Sequence, residues 1–194
     1  NWVADATYEL TWSPDGQFVA ISAFNSANGV QLEGHYTLVF YLGNTSAPIL
    51  TIENAAAPSI SPNGRLLAFE RLDATGRNIY VRAMNSGEIT PVTQQPAGSE
   101  CYGAQFGLDS LTLFFTCQTN GETTIFRYGL GGIAPLQTGI ANAQNPSPGP
   151  EPGYITFDDG QTLYLSQDDG TNVIPYAQLE GLNLRGLQWT RPPG

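Results

Sequence analysis

One phrase recurs along this chain and limits what it can fold into: a short apolar strand, a tight turn, then a second apolar strand. Tyr8-Glu-Leu-Thr-Trp12 leads into Ser13-Pro14-Asp15-Gly16 and then Phe18-Val-Ala-Ile21. The phrase returns as Pro58-Ser-Ile60, Ser61-Pro62-Asn63-Gly64 and Leu66-Leu-Ala-Phe69, and again as Ala104-Gln-Phe106, Gly107-Leu108-Asp109-Ser110 and Leu111-Thr-Leu-Phe-Phe115. A fourth, degenerate copy replaces the turn with Pro148 through Gly153 before Tyr154-Ile-Thr-Phe157, and a fifth begins at Leu187-Gln-Trp189 and runs into Thr190-Arg-Pro-Pro-Gly194. The anchors Trp12, Ile60, Phe106, Pro148 and Trp189 lie 48, 46, 42 and 41 residues apart. Self-similarity at that period is the sequence signature of a repeat architecture in which each unit is one four-stranded sheet.

Each repeat has a physical logic. In the turn, Pro fixes φ, Asp or Asn bonds to nearby backbone, and Gly accepts a positive φ, so the chain reverses. The strand after the turn is apolar enough to be covered on both faces. A third strand follows as Tyr36-Thr-Leu-Val-Phe-Tyr-Leu42, Asn78-Ile-Tyr-Val-Arg82, Thr124-Ile-Phe-Arg-Tyr128 and Gln161-Thr-Leu-Tyr-Leu165. A short fourth strand carries proline in Ile89-Thr-Pro-Val92, Ile133-Ala-Pro-Leu136 and Asn172-Val-Ile-Pro-Tyr176, which places it at a sheet edge, where a missing donor is tolerated. No helical periodicity of useful length is present.

The phrase Trp12-Ser-Pro-Asp-Gly16 with Phe18-Val-Ala, and Ile60-Ser-Pro-Asn-Gly64 with Leu67-Ala-Phe69 and Asn78-Ile-Tyr-Val81, resembles the TolB-like (WD-like, PD40-type) propeller repeat, with Ile89-Thr90 and Val92-Thr93 near its closing Leu-Thr. The resemblance covers about four-fifths of the chain and is strongest in the first two repeats. It implies an all-β fold: a β-propeller of four-stranded antiparallel blades, with four full repeats at about 8–53, 57–93, 101–138 and 143–176 and a partial fifth at 184–194, forming one domain over 1–194. Members of that family serve as scaffolds in envelope complexes, as gates before peptidase domains and as surface sensors, and none of these roles carries a transferable residue here, because propeller function sits in variable loops. The fifth repeat supplies one inner strand and Asn1-Trp-Val-Ala4 at most one more, so the closing blade is expected to be thin, extended by further residues, or completed by another chain through strand addition.

Charge narrows the partners. Seventeen acidic residues face seven basic ones, all Arg, for a net charge of −10. Nucleic acid and anionic membrane surfaces are disfavoured as partners, since phosphate binding rests on Lys and Arg. No apolar run approaches the roughly 20 residues of a membrane span, so no membrane insertion is expected. The first residue is Asn1 rather than Met, which is compatible with a removed signal segment or with a piece of a longer chain.

Few residues suggest chemistry. Cys101 and Cys117 are the only cysteines and lie eight residues either side of Asp109 at the third turn, facing each other across the expected hairpin. A disulfide is the expectation, worth about 3 kcal/mol or less on loop entropy and implying an oxidising compartment; two buried free thiols are the other reading. His35 is the only histidine and is expected in an exposed loop without a catalytic partner. Asp158-Asp-Gly160 and Asp168-Asp-Gly170 read as turns rather than calcium loops, and no metal or cofactor is expected. Asn44-Thr-Ser46 fits an N-glycosylation acceptor. The insert Asn25 to Gly34 reads as a loop for partner contact, and Trp2, Trp12 and Trp189 as packing in or near the closing seam. Together these features point to a non-catalytic, extracellular, cell-surface or periplasmic module that binds a protein partner through loops or the ring face. The alternatives are a structural subunit that polymerises by strand exchange between copies, and a propeller accompanying an enzyme outside this sequence.

Overall fold

The computed structural model describes residues 2–4, 10–27, 30–73, 76–95, 98–129 and 132–179, with the side chains of residues 26–27 and 30–33 set aside. Their strands form four antiparallel sheets in chain order. The first blade comprises β1 (Trp2–Ala4), β2 (Thr11–Trp12), β3 (Phe18–Ala27), β4 (Val30–Tyr41) and β5 (Leu50–Glu53). The second is β6 (Ala56–Ile60), β7 (Leu66–Asp73), β8 (Gly76–Ala83) and β9 (Ile89–Pro91). The third is β10 (Ser99–Phe106), β11 (Leu113–Thr119), β12 (Glu122–Gly129) and β13 (Gly132–Pro135), and the fourth β14 (Gln144–Pro148), β15 (Tyr154–Asp158), β16 (Thr162–Gln167) and β17 (Ile174–Gln178). The second, third and fourth sheets are wound in sequence order, as is β2–β5 in the first, where β1 also pairs with β3. The fifth repeat lies outside the described residues.

The repeated turn owes its shape to its side chains. In the first copy Gly16 takes φ 67° and donates to the Ser13 carbonyl at 2.9 Å, the Ser13 hydroxyl accepts from the Phe18 amide, and Asp15 accepts from the Gln17 amide. The second copy repeats every bond with Ser61, Asn63 and Gly64. In the third, Ser110 adopts φ 63° where the others use glycine, and Asp109 accepts from both the amide and the hydroxyl of Thr112.

Three apolar layers lie between consecutive blades. Ala20, Val39 and Ile52 meet Ile60, Leu67 and Phe69; Ala68 and Ile79 meet Phe106, Leu113 and Phe115; Phe114 and Ile125 meet Ile155 and Phe157. The second strands β7, β11 and β15 are buried on both faces, which is why their sequences are continuous apolar runs. On the face toward the preceding blade, Phe69 stacks on Tyr80, Phe115 on Phe126 and Phe157 on Tyr164, with centroids 5.3 to 6.0 Å apart. Pro91, Pro135 and Pro175 on the outermost strands stand opposite the second member of each pair. The prolines therefore sit on edge strands, and in each case they close an aromatic row.

A polar device joins the blades as well. The first strands of the second, third and fourth blades each carry a β-bulge, and one bulged residue in each adopts a left-handed backbone: Ala57 (φ 49°), Gly103 (φ 66°) and Asn145 (φ 52°). That conformation turns its N–H out of the ladder toward the preceding blade. There the Ser22 hydroxyl accepts from Ala57 at 2.9 Å, the Glu70 carboxylate from Gly103 at 2.7 Å, and the Thr116 hydroxyl from Asn145 at 3.1 Å. Unpaired, such a buried donor would cost on the order of 1–3 kcal/mol, so each bond fixes the register of two neighbouring sheets.

Two expectations fail here. Trp2–Ala4 does not help close a last blade: it pairs with Asn25–Ala23 and so lengthens the first. Trp12 does not pack in a seam either, being 52% exposed, whereas its counterparts Ile60 and Phe106 are 9% and 4% exposed. The anchor side chain points back at the preceding blade, and among the described residues none precedes the first.

Candidate interaction surface

The hairpins joining second and third strands all emerge at one end of the blades, and the first departs from the rest. Ser22, Glu70, Thr116 and Asp158 hold the same position in successive blades. From there β3 runs five residues further to Ala27, β7 three to Asp73 and β11 three to Thr119, while β15 stops at Asp158. At about 3.3 Å per residue the first hairpin reaches ~7 Å beyond the next two and ~17 Å beyond the last.

The described residues of the span Asn25 to Gly34 are thus strand rather than loop. Residues of β3 and β4 stay paired through Ser26↔Gln31 and Ala27↔Val30, with a register shift beside Asn25. The sequence carried a signal for this in Asn28-Gly29 between Ala27 and Val30, since an Asn-Gly pair between strands favours a two-residue hairpin. The same dipeptide makes the β11–β12 turn, where Asn120 and Gly121 take φ 54° and 87°.

Aromatic side chains stiffen the arm. Trp2 packs edge-on against Tyr36 with centroids 5.0 Å apart, and Phe24 lies 4.5 Å from the His35 ring. His35 is therefore a half-buried strand residue and not the exposed loop histidine expected; its carbonyl also accepts from Ala55. Trp2 and Val3 remain 37% and 52% exposed, leaving an apolar strip on a rigid projection.

At the same end, a cleft of about 340 Å³ opens between the β9–β10 connection and the β11–β12 hairpin, lined by Gln95, Thr119, Asn120, Glu122, Thr124, Phe126 and Cys117. The Asn78 side-chain oxygen holds the connection by accepting from the Gln95 amide and the Thr93 hydroxyl, both at 2.9 Å. Cys117 is joined to Cys101 by a disulfide between directly opposed residues of β10 and β11, their Cα atoms 4.1 Å apart. Both sulfurs sit in the apolar layer between the second and third blades.

The remaining residues singled out in the sequence lie apart from this surface. Asn44 occupies the exposed β4–β5 turn at the opposite end, where its side-chain oxygen accepts from the Ser46 amide and hydroxyl. Asp159, Asp168 and Asp169 lie in turns, but Asp158 is 3% exposed and ends β15, accepting from Gln144, Asn145 and the Gly160 amide. Among the described residues no three His, Cys, Asp or Glu side chains gather as metal ligands would.

Burial pushes the Asp109 and Asp159 carboxyls up. Hydrogen bonds outweigh it and hold both below the usual range, from Thr112 and Leu111 in the first case and from Thr162, Gln161 and the Tyr164 hydroxyl in the second. Burial first, then the hydrogen bond to Asp73 or Asp159, raises the Tyr80 and Tyr164 phenols.

Solved structures share this architecture. The chain superposes on a putative TolB from Agrobacterium tumefaciens with a TM-score of 0.67 at 20% identity, over 88% of this chain and 65% of that one. The fold is that of a TolB-like β-propeller. TolB from Acinetobacter baumannii matches with a TM-score of 0.67 at 16% identity over 90% of this chain and 43% of that one. The β-propeller domain of the trilobed protease from Pyrococcus furiosus, described as having an open velcro topology, matches with a TM-score of 0.63 at 15% identity over 88% and 57%. This TolB-like chain spans less than two-thirds of the length of each of these three. No protein-family model matches it, and neither does any curated protein. Other similar structures include peptidases and an oligogalacturonate lyase, so the fold alone does not say whether a chain that carries it is an enzyme.

Proposed function

We propose that this TolB-like propeller is a non-catalytic interaction module that binds a protein partner at the end of the ring carrying the β3–β4 arm. The observation that carries the reading is the arm itself. It is the longest of the described second-to-third-strand hairpins, it is braced by a third strand, β1, and that strand presents Trp2 and Val3 to solvent. Strand length beyond that of the other second-to-third-strand hairpins is not needed to build a blade, whereas aromatic and aliphatic side chains on a projection are what protein interfaces use as anchors. The disulfide supports an extracellular or periplasmic setting.

A photo-crosslinking residue at Val3 tests this against one at Leu111, which is exposed on the opposite end. Specific adducts to one protein from Val3 and not from Leu111 are expected, abolished by Trp2→Ala. Adducts of equal yield from both ends would refute the assignment.

A second reading has its own observation. The backward face of the first blade leaves Trp12 half exposed beside the partly buried Val19 and Phe40, a surface of the kind that meets another blade elsewhere in the chain. A structural subunit that stacks copies through this face would sediment above monomer mass, and Trp12→Ser would return it to monomer.

A further inference from the structure

The two sulfurs of the Cys101–Cys117 bridge stand in unlike surroundings. Both lie in the apolar layer that Ala68, Ile79 and Val92 of the second blade share with the third. Cys101 is 0% exposed and takes no part in the cleft of about 340 Å³, whereas Cys117, 5% exposed, is one of its lining residues.

Strand pairing gives the cleft a direction relative to the bridge. Cys101 of β10, Cys117 of β11 and Thr124 of β12 stand directly opposite one another, in a single row across three strands. Members of such a row lie side by side on one face of the sheet. The described lining of the cleft includes Glu122, Thr124 and Phe126 of β12 and no residue of β10. The cleft therefore opens on the side of Cys117 away from Cys101. A thiolate that attacks a disulfide approaches along the S–S axis, behind the sulfur it bonds to and opposite the sulfur it expels. That line runs through the cleft to Cys117, while the opposite line, onto Cys101, meets a sulfur with no exposed surface.

The opening is preformed and selective by charge. Its far wall is held by the Gln95 amide donating to Asn78 Oδ1, and Asn78 Nδ2 in turn donates to the Asp73 carboxylate. Its volume falls at the small end of the roughly 300–1,000 Å³ typical of small-molecule sites. Glu122 is the one charged residue among the described lining residues, so an anionic molecule is repelled and a neutral or cationic one is not.

We propose that this cleft is a thiol-exchange site, in which Cys117 is the sulfur that a small neutral or cationic thiol modifies and Cys101 is the resolving sulfur. The incoming thiol gives its proton to solvent and its thiolate forms a bond to Cys117 Sγ. The Cys101–Cys117 bond breaks with its electron pair passing to Cys101, which takes up a proton and rests as a neutral thiol among apolar neighbours. The incoming sulfur is oxidised as Cys101 is reduced, so the exchange balances without another oxidant. The β10–β11 ladder keeps Cys101 opposite Cys117, and when the thiol is withdrawn the step runs backward and the bridge re-forms.

The test treats the folded chain with 2-mercaptoethanol, quenches with N-ethylmaleimide and maps the cysteine peptides by mass spectrometry. The hydroxyethylthio adduct is expected on Cys117 with the maleimide on Cys101, exceeding the reverse assignment at least about tenfold. The rate should be linear in thiol and indifferent to urea below the unfolding transition. Divided by each thiol's rate on hydroxyethyl disulfide, cysteamine should react at least about twofold faster than mercaptoethanesulfonate. Thr124→Tyr, which enlarges the side chain beside Cys117 on its open side, should slow the reaction about tenfold or more at an unchanged melting temperature. Should that variant fail to fold, the adduct position in the unaltered chain decides. Adducts shared equally or found mainly on Cys101, a rate that climbs with urea as unfolding does, an anionic thiol as fast as the cationic one, or a folded Thr124→Tyr chain that reacts undiminished would each overturn the proposal.

Discussion

Replacing Thr116 by valine isolates the interblade hydrogen bond with almost no change of shape. Thr116 is fully buried, and its hydroxyl accepts the N–H that left-handed Asn145 turns out of its own strand. Valine fills the same space but strands that donor between two blades, a loss of about 1–3 kcal/mol, of which the better burial of a methyl returns up to about 0.8 kcal/mol. The net destabilisation of about 0.2–3 kcal/mol should lower the melting temperature of a domain this size by up to roughly 12 °C. The control is Thr37→Val. Thr37 is equally buried and its hydroxyl has no hydrogen-bond partner among the described residues, so removing it should be neutral or stabilising. Urea unfolding followed by tryptophan fluorescence, with the denaturant slope unchanged, gives both values in one experiment. If Thr116→Val costs no more than Thr37→Val, the bond does not hold the blades in register and the account of the bulges is wrong.

Reducing the Cys101–Cys117 bridge should cost at most about 3 kcal/mol, because its 16-residue loop is already closed by a β-hairpin, and melting with and without a phosphine reductant reads it out. Ala57→Gly should be neutral or stabilising, since a left-handed alanine carries about 1–2 kcal/mol of backbone strain, while Gly103→Ala, at a position where a Cβ meets nothing within 4 Å, should cost about that amount by calorimetry. The Asp15, Asp109, Asp159 and Asp169 carboxyls are held below their ordinary value of 3.8, so the unfolded chain binds more protons in acid. Stability conferred by these turns is therefore present above that value and lost as pH falls through the lower folded ones, and Asp109→Asn should shallow the acid limb of the melting profile. The raised phenols of Tyr80, Tyr102 and Tyr164 give the opposite limb, with stability lost as pH rises past 10.

The architecture was legible because its determinants are residue types at fixed offsets. Ser-Pro-Asp-Gly can do little but turn, and proline in Ile89-Thr-Pro91 can sit only at an edge. The cysteine pairing followed from symmetry about Asp109. The interblade bonds were not legible, for a physical reason: donors Ala57, Gly103 and Asn145 share no side-chain chemistry, and acceptors Ser22, Glu70 and Thr116 share only the possession of an oxygen. What repeats is a backbone angle, which sequence encodes weakly once neighbours enforce it. The arm was missed because Asn25 to Gly34 reads by its length as a loop inserted between two strands, although the dipeptide Asn28-Gly29 is a sequence signal for a two-residue hairpin. His35 was misplaced together with the insert, since it is a β4 residue packed on Phe24 of the same blade, and Trp12 because its exposure depends on whether a blade stands behind it.

The bonds between blades span 35, 33 and 29 residues, each reaching forward to the next repeat and no further. A chain emerging from a ribosome can therefore complete every one of these joints as soon as the following strand clears the exit, with no need to wait for its far end. Such a molecule is assembled in the order it is written. Its joints are also interchangeable in kind, so a whole repeat gained or lost during evolution would break one joint and remake it with the next unit, leaving the others untouched.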